Sequence, residues 1–347
     1  MAISNDLSRT SEDPALLTYS RVGSLVGVQV LGIGSSVPAN PVRNEDLASL
    51  GYDAEWIVQR TGILERRHAP PGVATSDLAV EAARRSIEQA GADPQEIDLV
   101  LVGTYTPDLL LPSTACLVQD RLGLRAPAMD IQAACTSFIY ALITGAQFVA
   151  TGNSRLVLVI GADCSSRVVN PADQHTFPLF GDGAGAVLLA PGSPQQGLVS
   201  YAIGTDGSGA ELLCRRMGGT RLPYSPDSAD GVHFLHMEGR PIFKWAVRIL
   251  GDTVPEVLRA ADKTLDDVAL FILHQANLRI IATVVKDLGI PEHKVFNNLD
   301  RFGNTAAASI PLALDEAFRQ GRIRRGDHLL LSGFGAGLAW GTVLMRW

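Results

Sequence analysis

The chain has 347 residues, of which 46% are hydrophobic and 19% are charged, and its formal net charge is −7. This composition is typical of a globular protein with a large core, and the acidic balance argues against nucleic acid or an anionic membrane as a general partner. The four cysteines lack C-x-x-C spacing and are too few for a disulfide scaffold. We therefore predict no structural metal and a cytoplasmic location.

The N-terminal segment is polar and carries three acidic residues before any apolar run. This pattern differs from that of a signal peptide, and it predicts a flexible extension over residues 1–24. The apolar stretch 25–33 is too short and too glycine-rich to span a bilayer, so we expect no membrane insertion.

Four later stretches are continuously apolar, which predicts strands buried on both faces of a helix-covered sheet. Helical patterns lie between them, one with Ser76 as the expected N-cap and an end at Gly91, and another ending at Gly321. The four predicted strands cover residues 97–103, 155–163, 268–274 and 328–335.

The two halves of the chain repeat the same order of helix, turn and strand. The offset stays near 171 residues, because position 97 matches 268 and position 156 matches 328. An internal repeat of this length predicts duplicated structural units. We therefore predict an α/β fold with two related halves, at residues 25–195 and 196–347, whose sheets face each other around shared helices.

Cys135 lies in "AACTSF", where small residues lead into a helical pattern. A thiolate at a helix N-terminus is stabilised by free backbone N–H groups, and such positions can lower a thiol pKa. An inert core cysteine is the alternative interpretation. The repeat matches Cys135 with the region of Asn304 and puts His274 at the end of a buried strand. A thiol, an imidazole and a carboxamide at one junction suit nucleophilic catalysis with oxyanion stabilisation.

Two glycine-rich stretches carry less information. "GDGAGAVLL" (181–189) lacks GxGxxG spacing, so close packing of strands is favoured over nucleotide binding. "SGFGAGLAWG" (332–341) follows a buried strand, and its N–H groups could point into the site.

Six motifs in this order resemble the β-ketoacyl-acyl carrier protein synthase III group of thiolase-fold condensing enzymes. The resemblance covers residues 25–347 and implies a thiolase-like fold with layers in the order α-β-α-β-α. The motifs are "EWIVQRTGI", "AACTSF", "FGDGAGAVLL", "LHQANLRI", "DRFGNTAAAS" and "GFGAGLAWG".

The resemblance implies an acyltransferase that needs no permanently bound cofactor. Cys135 would accept the acyl group of an acyl-CoA primer. The enolate of malonyl-acyl carrier protein, formed by loss of CO₂, would then attack this thioester, which initiates fatty acid biosynthesis. His274 and Asn304 would stabilise the enolate, and the N–H groups of Cys135 and Ala336 would form the oxyanion hole.

The same resemblance implies contacts with substrates and with a second subunit. Trp56 and Arg167 would flank the adenine of CoA. An exposed basic patch would bind the acidic acyl carrier protein, and a homodimer is implied. The pantetheine tunnel would be lined by Arg60, Gly239, Phe243, Ala246 and Asn277; the basic patch would comprise Lys244, Arg248 and Arg279.

Leu111 is a departure from the pattern, because some family members have an aromatic residue there. This segment is expected to reach into the acyl pocket of the partner subunit, and Phe334 is expected to wall the site. Leucine is smaller, so we predict a pocket that admits primers longer or more branched than acetyl.

Other activities on this scaffold or with these residues fit the sequence less well, with one exception. A degradative thiolase would need a second cysteine in the late glycine-rich loop, and elongating synthases of this fold generally use two histidines. A cysteine hydrolase fits the duplicated halves poorly, and a non-catalytic partner would typically lack Cys135. A starter-unit ketosynthase of specialised metabolism, or an acyltransferase on the same scaffold, stays open.

Overall fold

The structure is a computed structural model that describes residues 20–227 and 231–347. Residues 1–19 of the predicted N-terminal extension lie outside the described residues. Residues 21–24 were also assigned to that extension, but they belong to strand β1, which pairs with β9. Residues 21–24 are therefore part of the fold, because ladder hydrogen bonds fix this edge strand.

Two five-stranded sheets form the frame of the protein. One has the order β2-β8-β7-β5-β6 and the other the order β1-β9-β14-β13-β12. The strands of the first sheet are β2 (Val28–Ser36), β5 (Leu99–Gly103), β6 (Ala128–Ile131), β7 (Val157–Cys164) and β8 (Asp182–Pro191). Those of the second are β1 (Arg21–Val26), β9 (Gly197–Thr205), β12 (Val268–Leu273), β13 (His328–Gly335) and β14 (Ala339–Arg346).

Short strands and eight helices complete the described part of the chain. Two small sheets pair β3 with β4 and β10 with β11. These strands are β3 (Pro41–Arg43), β4 (Glu65–Arg67), β10 (Leu213–Arg215) and β11 (Leu235–Met237). The helices are α1 (Ala54–Thr61), α2 (Thr75–Ala90), α3 (Thr114–Arg121), α4 (Ser137–Ala150), α5 (Gly239–Ala260), α6 (Leu278–Leu288), α7 (Leu299–Phe302) and α8 (Ser309–Arg319).

The helices are arranged in three layers around the two sheets. Helices α4 and α8 contact strands of both sheets, and their apolar side chains form one continuous core with the inner faces of both. Helices α2 and α3 cover the outer face of the first sheet, and α5 and α6 cover that of the second. The predicted α-β-α-β-α order is confirmed, and burial on both faces explains why the central strands are continuously apolar.

The predicted strands and helix ends agree with the structure except at one cap. The four apolar stretches correspond to β5, β7, β12 and β13, and Gly91 ends α2 with a φ of 62°. Ser76 is not the N-cap, because α2 begins at Thr75 after Ala74. The Ser76 hydroxyl instead donates to Asp108 at 2.7 Å, and the serine N–H donates to the same carboxylate.

The repeat extends to the backbone conformation beside the predicted nucleophile. Ala134 has a φ of 48° and Ala306 a φ of 51°, each opening a 3₁₀ turn that leads into α4 or α8. The structural counterpart of Cys135 is therefore Ala307, and the expected match with Asn304 was wrong by three residues. Because the repeated segment is mostly alanine, the sequence alone does not show which residue of the second half matches Cys135.

Within residues 20–227 and 231–347, no helix has both the length and the apolar character that crossing a membrane requires. The same residues contain no cluster of three or more His, Cys, Asp or Glu side chains that could hold a metal ion.

Candidate active site

Cys135 lies at the junction between the two halves, at the start of the central helix α4. The left-handed conformation of Ala134 is unfavourable for a residue other than glycine, so the surrounding structure must hold it. The Ser137 hydroxyl does so by accepting the Ala133 N–H at 2.8 Å and donating to the Ala134 carbonyl at 2.7 Å. This turn fixes the direction of the Cys135 side chain.

The thiol of Cys135 is buried, and its electrostatics differ from the expectation. Burial raises the pKa of Cys135 to about 12, and the nearby Asp163 carboxylate raises the pKa further. The expected lowering of this pKa by the helix N-terminus is not found, because desolvation of a thiolate outweighs a dipole effect of at most about 1 kcal/mol. The thiol is therefore protonated at neutral pH.

The end of strand β13 packs directly against Cys135. A Cβ atom at Gly335 would lie 2.8 Å from the Cys135 nitrogen, so only glycine fits at this position. Neither Cys135 nor Ala336 is an N–H donor in the turn and loop hydrogen bonds of the described residues. N–H groups beside a nucleophile are suited to bind an oxyanion, and the oxyanion hole of these two residues stays a prediction.

His274 follows strand β12 and is almost completely buried. Its Nδ1 atom lies 2.6 Å from the Ser309 hydroxyl, which is at the start of α8. Burial lowers the pKa of His274 to about 3, so the imidazole is neutral at physiological pH. When Ser309 donates to Nδ1, the Nε2 atom carries the proton and becomes a donor for the cavity.

Asn304 is held from both sides by backbone groups. Its N–H donates to the Leu179 carbonyl at 2.8 Å, and its own carbonyl accepts from Gly181 at 3.0 Å. The side-chain Oδ1 accepts from Ala306 at 2.9 Å. With Oδ1 occupied, the carboxamide N–H₂ group is left to donate into the cavity.

One cavity of about 120 Å³ brings the three predicted catalytic residues together. Phe334 lines the same cavity, as predicted, and its ring meets the His274 ring edge-on with 5.2 Å between centroids. The residues lining the cavity are Cys135, Leu179, Phe180, Leu213, Met237, Gly239, Ile242, Phe243, Trp245, His274, Ala276, Asn277, Ile280, Asn304, Phe334 and Gly335.

A wider cavity of about 340 Å³ leads from the surface to this one. The two cavities share four lining residues, among them Gly239 and Asn277, so they form one path. Trp56 is at the mouth, and the Arg60 guanidinium lies 5.6 Å from the centre of its ring. The residues lining this entrance are Trp56, Arg60, Thr61, Gln174, His175, Pro178, Leu179, Met237, Gly239, Arg240 and Asn277.

Two of the predicted CoA contacts do not line either cavity, and their roles stay predictions. Arg167 is exposed, and its Nη2 atom donates to the carbonyls of Ala69, Pro70 and Val73, with a shortest distance of 2.7 Å. Gln174 and His175 line the entrance together with Trp56. Neither was predicted from the sequence, because no local pattern distinguishes them from other polar loop residues.

Ala246 is the second predicted contact that lines neither cavity. It is fully buried in the core between α5 and the second sheet and lines neither cavity. Its helix turns one face to the entrance and another to the core, and position 246 falls on the core face. Ala276, in the motif "LHQANLRI", lines the inner cavity instead.

The predicted basic residues are exposed beside the entrance. Lys244 and Arg248 lie one helical turn apart on α5, and Arg279 lies in the first turn of α6. Arg240, which the sequence analysis missed, continues the α5 row into the entrance. Leu111 is 87% exposed and lines neither cavity of its own chain.

Comparisons with known proteins agree with this geometry. Residues 129–207 match the family model for 3-oxoacyl-[acyl-carrier-protein] synthase III, and residues 258–347 match the model for its C-terminal region. A relative from Rhodopirellula baltica named beta-ketoacyl-[acyl-carrier-protein] synthase III is 55% identical over 94% of this chain and 100% of its own length.

Solved structures are similar over nearly the whole chain. The beta-ketoacyl-[acyl carrier protein] synthase III of Thermus thermophilus has a TM-score of 0.86 and 43% identity, covering 92% of this chain and 98% of its own. The priming β-ketosynthase of the R1128 polyketide pathway has a TM-score of 0.85 and 36% identity, covering 96% and 99%. This chain therefore belongs to the β-ketoacyl-acyl carrier protein synthase III family of thiolase-fold condensing enzymes.

Proposed function

We propose that this protein condenses an acyl-CoA primer with malonyl-acyl carrier protein to give a 3-oxoacyl-acyl carrier protein, which initiates fatty acid biosynthesis in the cytoplasm. The observation that carries the proposal is the meeting of a thiol, a neutral imidazole and a carboxamide in one cavity. Hydrogen bonds with backbone groups or with a hydroxyl fix the orientation of each group.

In the first half-reaction, the sulfur of Cys135 attacks the thioester carbonyl of the acyl-CoA. The N–H groups of Cys135 and Ala336 stabilise the tetrahedral oxyanion, which is the largest contribution expected from such a site. The bond to the CoA sulfur then breaks, and the thiol proton of Cys135 is balanced by protonation of the departing CoA thiolate. The enzyme keeps the acyl group as a thioester.

In the second half-reaction, the malonyl group loses CO₂ and its thioester carbonyl becomes an enolate oxygen. His274 Nε2–H and the Asn304 carboxamide donate to this oxygen, and neither has to act as a strong base because decarboxylation itself supplies the electron pair. The enolate carbon attacks the acyl thioester, and the Cys135 thiolate leaves and takes up one proton.

The entrance is suited to a CoA thioester and to the phosphopantetheine arm of a carrier protein. We infer that the arm passes Gly239, Phe243 and Asn277, and that the adenine stacks near Trp56, with Gln174 and His175 as further contacts. The exposed cations Lys244, Arg248 and Arg279, together with Arg240, give this face the charge that an acidic carrier protein would bind.

We further propose that the enzyme is a homodimer in which Leu111 closes the acyl pocket of the partner subunit. Leu109, Leu110 and Leu111 expose 51%, 87% and 87% of their surface, and three consecutive exposed leucines favour a protein contact over solvent. Because leucine is smaller than an aromatic residue, we propose that the pocket accepts primers longer or more branched than acetyl.

The decisive experiment is intact-protein mass spectrometry after incubation with a panel of acyl-CoAs, followed by malonyl-acyl carrier protein. We expect one acyl adduct per chain, which disappears when the malonyl substrate is added. Cys135→Ala should abolish the adduct. Cys164→Ala is the matched control, because Cys164 is also buried but lies outside the cavity, and it should keep the adduct. An adduct on the Cys135 variant would contradict the proposal.

A starter-unit ketosynthase of specialised metabolism is the second candidate. The observation in its favour is the similarity to the priming ketosynthase of a polyketide pathway. The same mass spectrometry separates the two, because a 3-oxoacyl product formed only on a dedicated polyketide carrier protein, and not on the fatty acid carrier protein, would favour the second.

A further inference from the structure

Asp163 is a fully buried carboxylate at the end of strand β7, next to the active site. Its Oδ1 accepts from the hydroxyls of Thr104 and Thr106 at 2.9 and 2.7 Å and from the N–H groups of Tyr105 and Thr106 at 2.9 and 3.1 Å. Its Oδ2 accepts a single bond, from the N–H of Ala307 at 2.9 Å. Four donors therefore hold the carboxylate in the first half, and the fifth belongs to the second half.

The internal duplication shows why that fifth bond matters. Ala307 is the counterpart of Cys135, and Gly335 is the counterpart of Asp163 in the other half. In one half a carboxylate accepts the N–H of the turn, while in the other half a glycine offers the Cys135 N–H no acceptor side chain. The two halves thus differ at this position. The turn of the second half is anchored by a carboxylate, and the turn of the first half, with Cys135, is not.

The anchored turn is the one that orients Asn304. Ala306 has a φ of 51°, a conformation that only surrounding contacts can maintain in a residue with a Cβ. It is flanked by the Asp163 bond to Ala307 on one side and by its own N–H bond to Asn304 Oδ1 on the other. Movement of the turn would release Oδ1 and let the carboxamide rotate.

We propose that Asp163 is a positioning residue for the condensation step, acting through the turn at residues 305–307 to keep the Asn304 carboxamide directed into the cavity. The proposal rests on the proposed function, because it gives Asn304 the role of enolate donor. Asp163 touches no substrate. Its charge raises the pKa of the Cys135 thiol, so losing that charge should not slow acylation.

The test separates the two half-reactions in Asp163→Asn, a substitution of nearly equal size. An asparagine has only one acceptor oxygen, and its other terminal group is an N–H₂ donor. It can therefore accept either from the four donors of the first half or from the Ala307 N–H, but not from both. We expect the rate of Cys135 acylation to stay within about threefold of wild type, whereas condensation from the pre-acylated enzyme falls roughly 10- to 100-fold, since loss of one oriented donor costs about that much.

A double-mutant cycle with Asn304→Ala shows whether Asp163 acts through Asn304. We expect the condensation rate of the double variant to equal that of Asn304→Ala alone, because residues acting as one unit are not additive. The proposal is overturned if the losses in condensation rate of the two single variants multiply in the double variant. It is also overturned if Asp163→Asn slows acylation and condensation equally. If Asn304→Ala itself condenses normally, the assigned role of Asn304 fails instead, and the two failures are thereby distinguished.

Two further variants keep the test independent of folding defects. Thr104→Val removes one donor to Asp163 and should give a smaller, roughly threefold loss confined to condensation. Asp182→Asn is the matched control, since Asp182 is equally buried and accepts from Ser166 and from the Ala69 N–H, but has no bond to the second half. It should leave the ratio of the two half-reaction rates unchanged. A selective loss in this control, or none in Thr104→Val, argues against the proposal.

Discussion

The Ser309 hydroxyl lies 2.6 Å from the Nδ1 atom of His274 and selects which imidazole nitrogen faces the substrate. The two residues come from different elements, the loop after β12 and the first turn of α8. Because the imidazole is neutral, a hydroxyl that donates to Nδ1 leaves the proton on Nε2, where the enolate would accept it.

Ser309→Ala tests this relationship. We expect condensation to fall about tenfold, because the imidazole loses the partner that fixes its tautomer and orientation, while acylation of Cys135 changes little. Single-turnover rates of the two half-reactions measure this. Thr283→Ala, an exposed helical hydroxyl that bonds only to its own helix, is the control. Equal losses in both half-reactions would show that Ser309 has only a packing role.

The buried His274 should make stability depend on pH in a defined direction. Its pKa is near 3 in the folded state and near 6.5 when unfolded, so below pH 6.5 the unfolded chain binds a proton that the folded chain does not. The free energy of unfolding contributed by His274 therefore falls by about 1 kcal/mol per pH unit as the pH decreases below 6.5. Burial raises the pKa of Asp163 to about 6, so below pH 6 the folded chain binds a proton more readily there than the unfolded chain does. The contribution of Asp163 to the free energy of unfolding therefore rises as the pH decreases, opposite to that of His274.

His274→Gln isolates the histidine contribution from the opposing one. We expect the free energy of unfolding, measured by urea denaturation between pH 5 and 7, to decline less steeply in the variant than in the wild type as the pH decreases. His293→Gln, at an exposed position, should leave the slope as it is. Parallel curves for wild type and His274→Gln would contradict the assignment of a buried neutral imidazole.

Gly335→Ala should damage acylation. The new Cβ would meet the Cys135 nitrogen at 2.8 Å and the Cys135 Cβ at 3.1 Å, and both belong to a fixed turn. We expect at least a tenfold slower acyl transfer to Cys135 and about 1–3 kcal/mol of lost stability. Gly251→Ala, in α5 with open space at its Cβ position, should leave acylation unchanged and raise stability slightly. Normal acylation of Gly335→Ala would exclude the oxyanion role of this turn.

Leu111→Phe should narrow the range of primers. A larger and stiffer side chain at the end of the acyl pocket of the partner subunit would exclude long or branched chains, at a cost of roughly 1–3 kcal/mol per excess methylene. The ratio of kcat/KM for acetyl-CoA to that for a longer acyl-CoA should therefore rise at least tenfold. Leu64→Phe, at another exposed leucine, should leave this ratio unchanged. A wild-type enzyme that already prefers acetyl-CoA steeply would contradict the role given to Leu111.

Two duplicated α/β halves and the places of the catalytic residues along the chain could be predicted from the sequence, whereas the order of the layers came from the family resemblance. Continuous apolar runs predicted β5, β7, β12 and β13, because both faces of such strands are buried and carry apolar side chains. The constant offset between the halves predicted two equivalent units and put Cys135 and His274 at their junction. These features are readable because they depend on periodicity and order along the chain, which the sequence states directly.

The side chains that line the site, and their protonation states, follow from tertiary packing. Gln174 and His175 line the entrance although nothing in their local sequence distinguishes them. The thiol of Cys135 has a raised pKa because desolvation depends on everything packed around it. Asp163 gave no signal in the sequence, since its role comes from a hydrogen bond to Ala307, a residue 144 positions away. Contacts between residues so far apart in sequence exist only once the two halves have packed together.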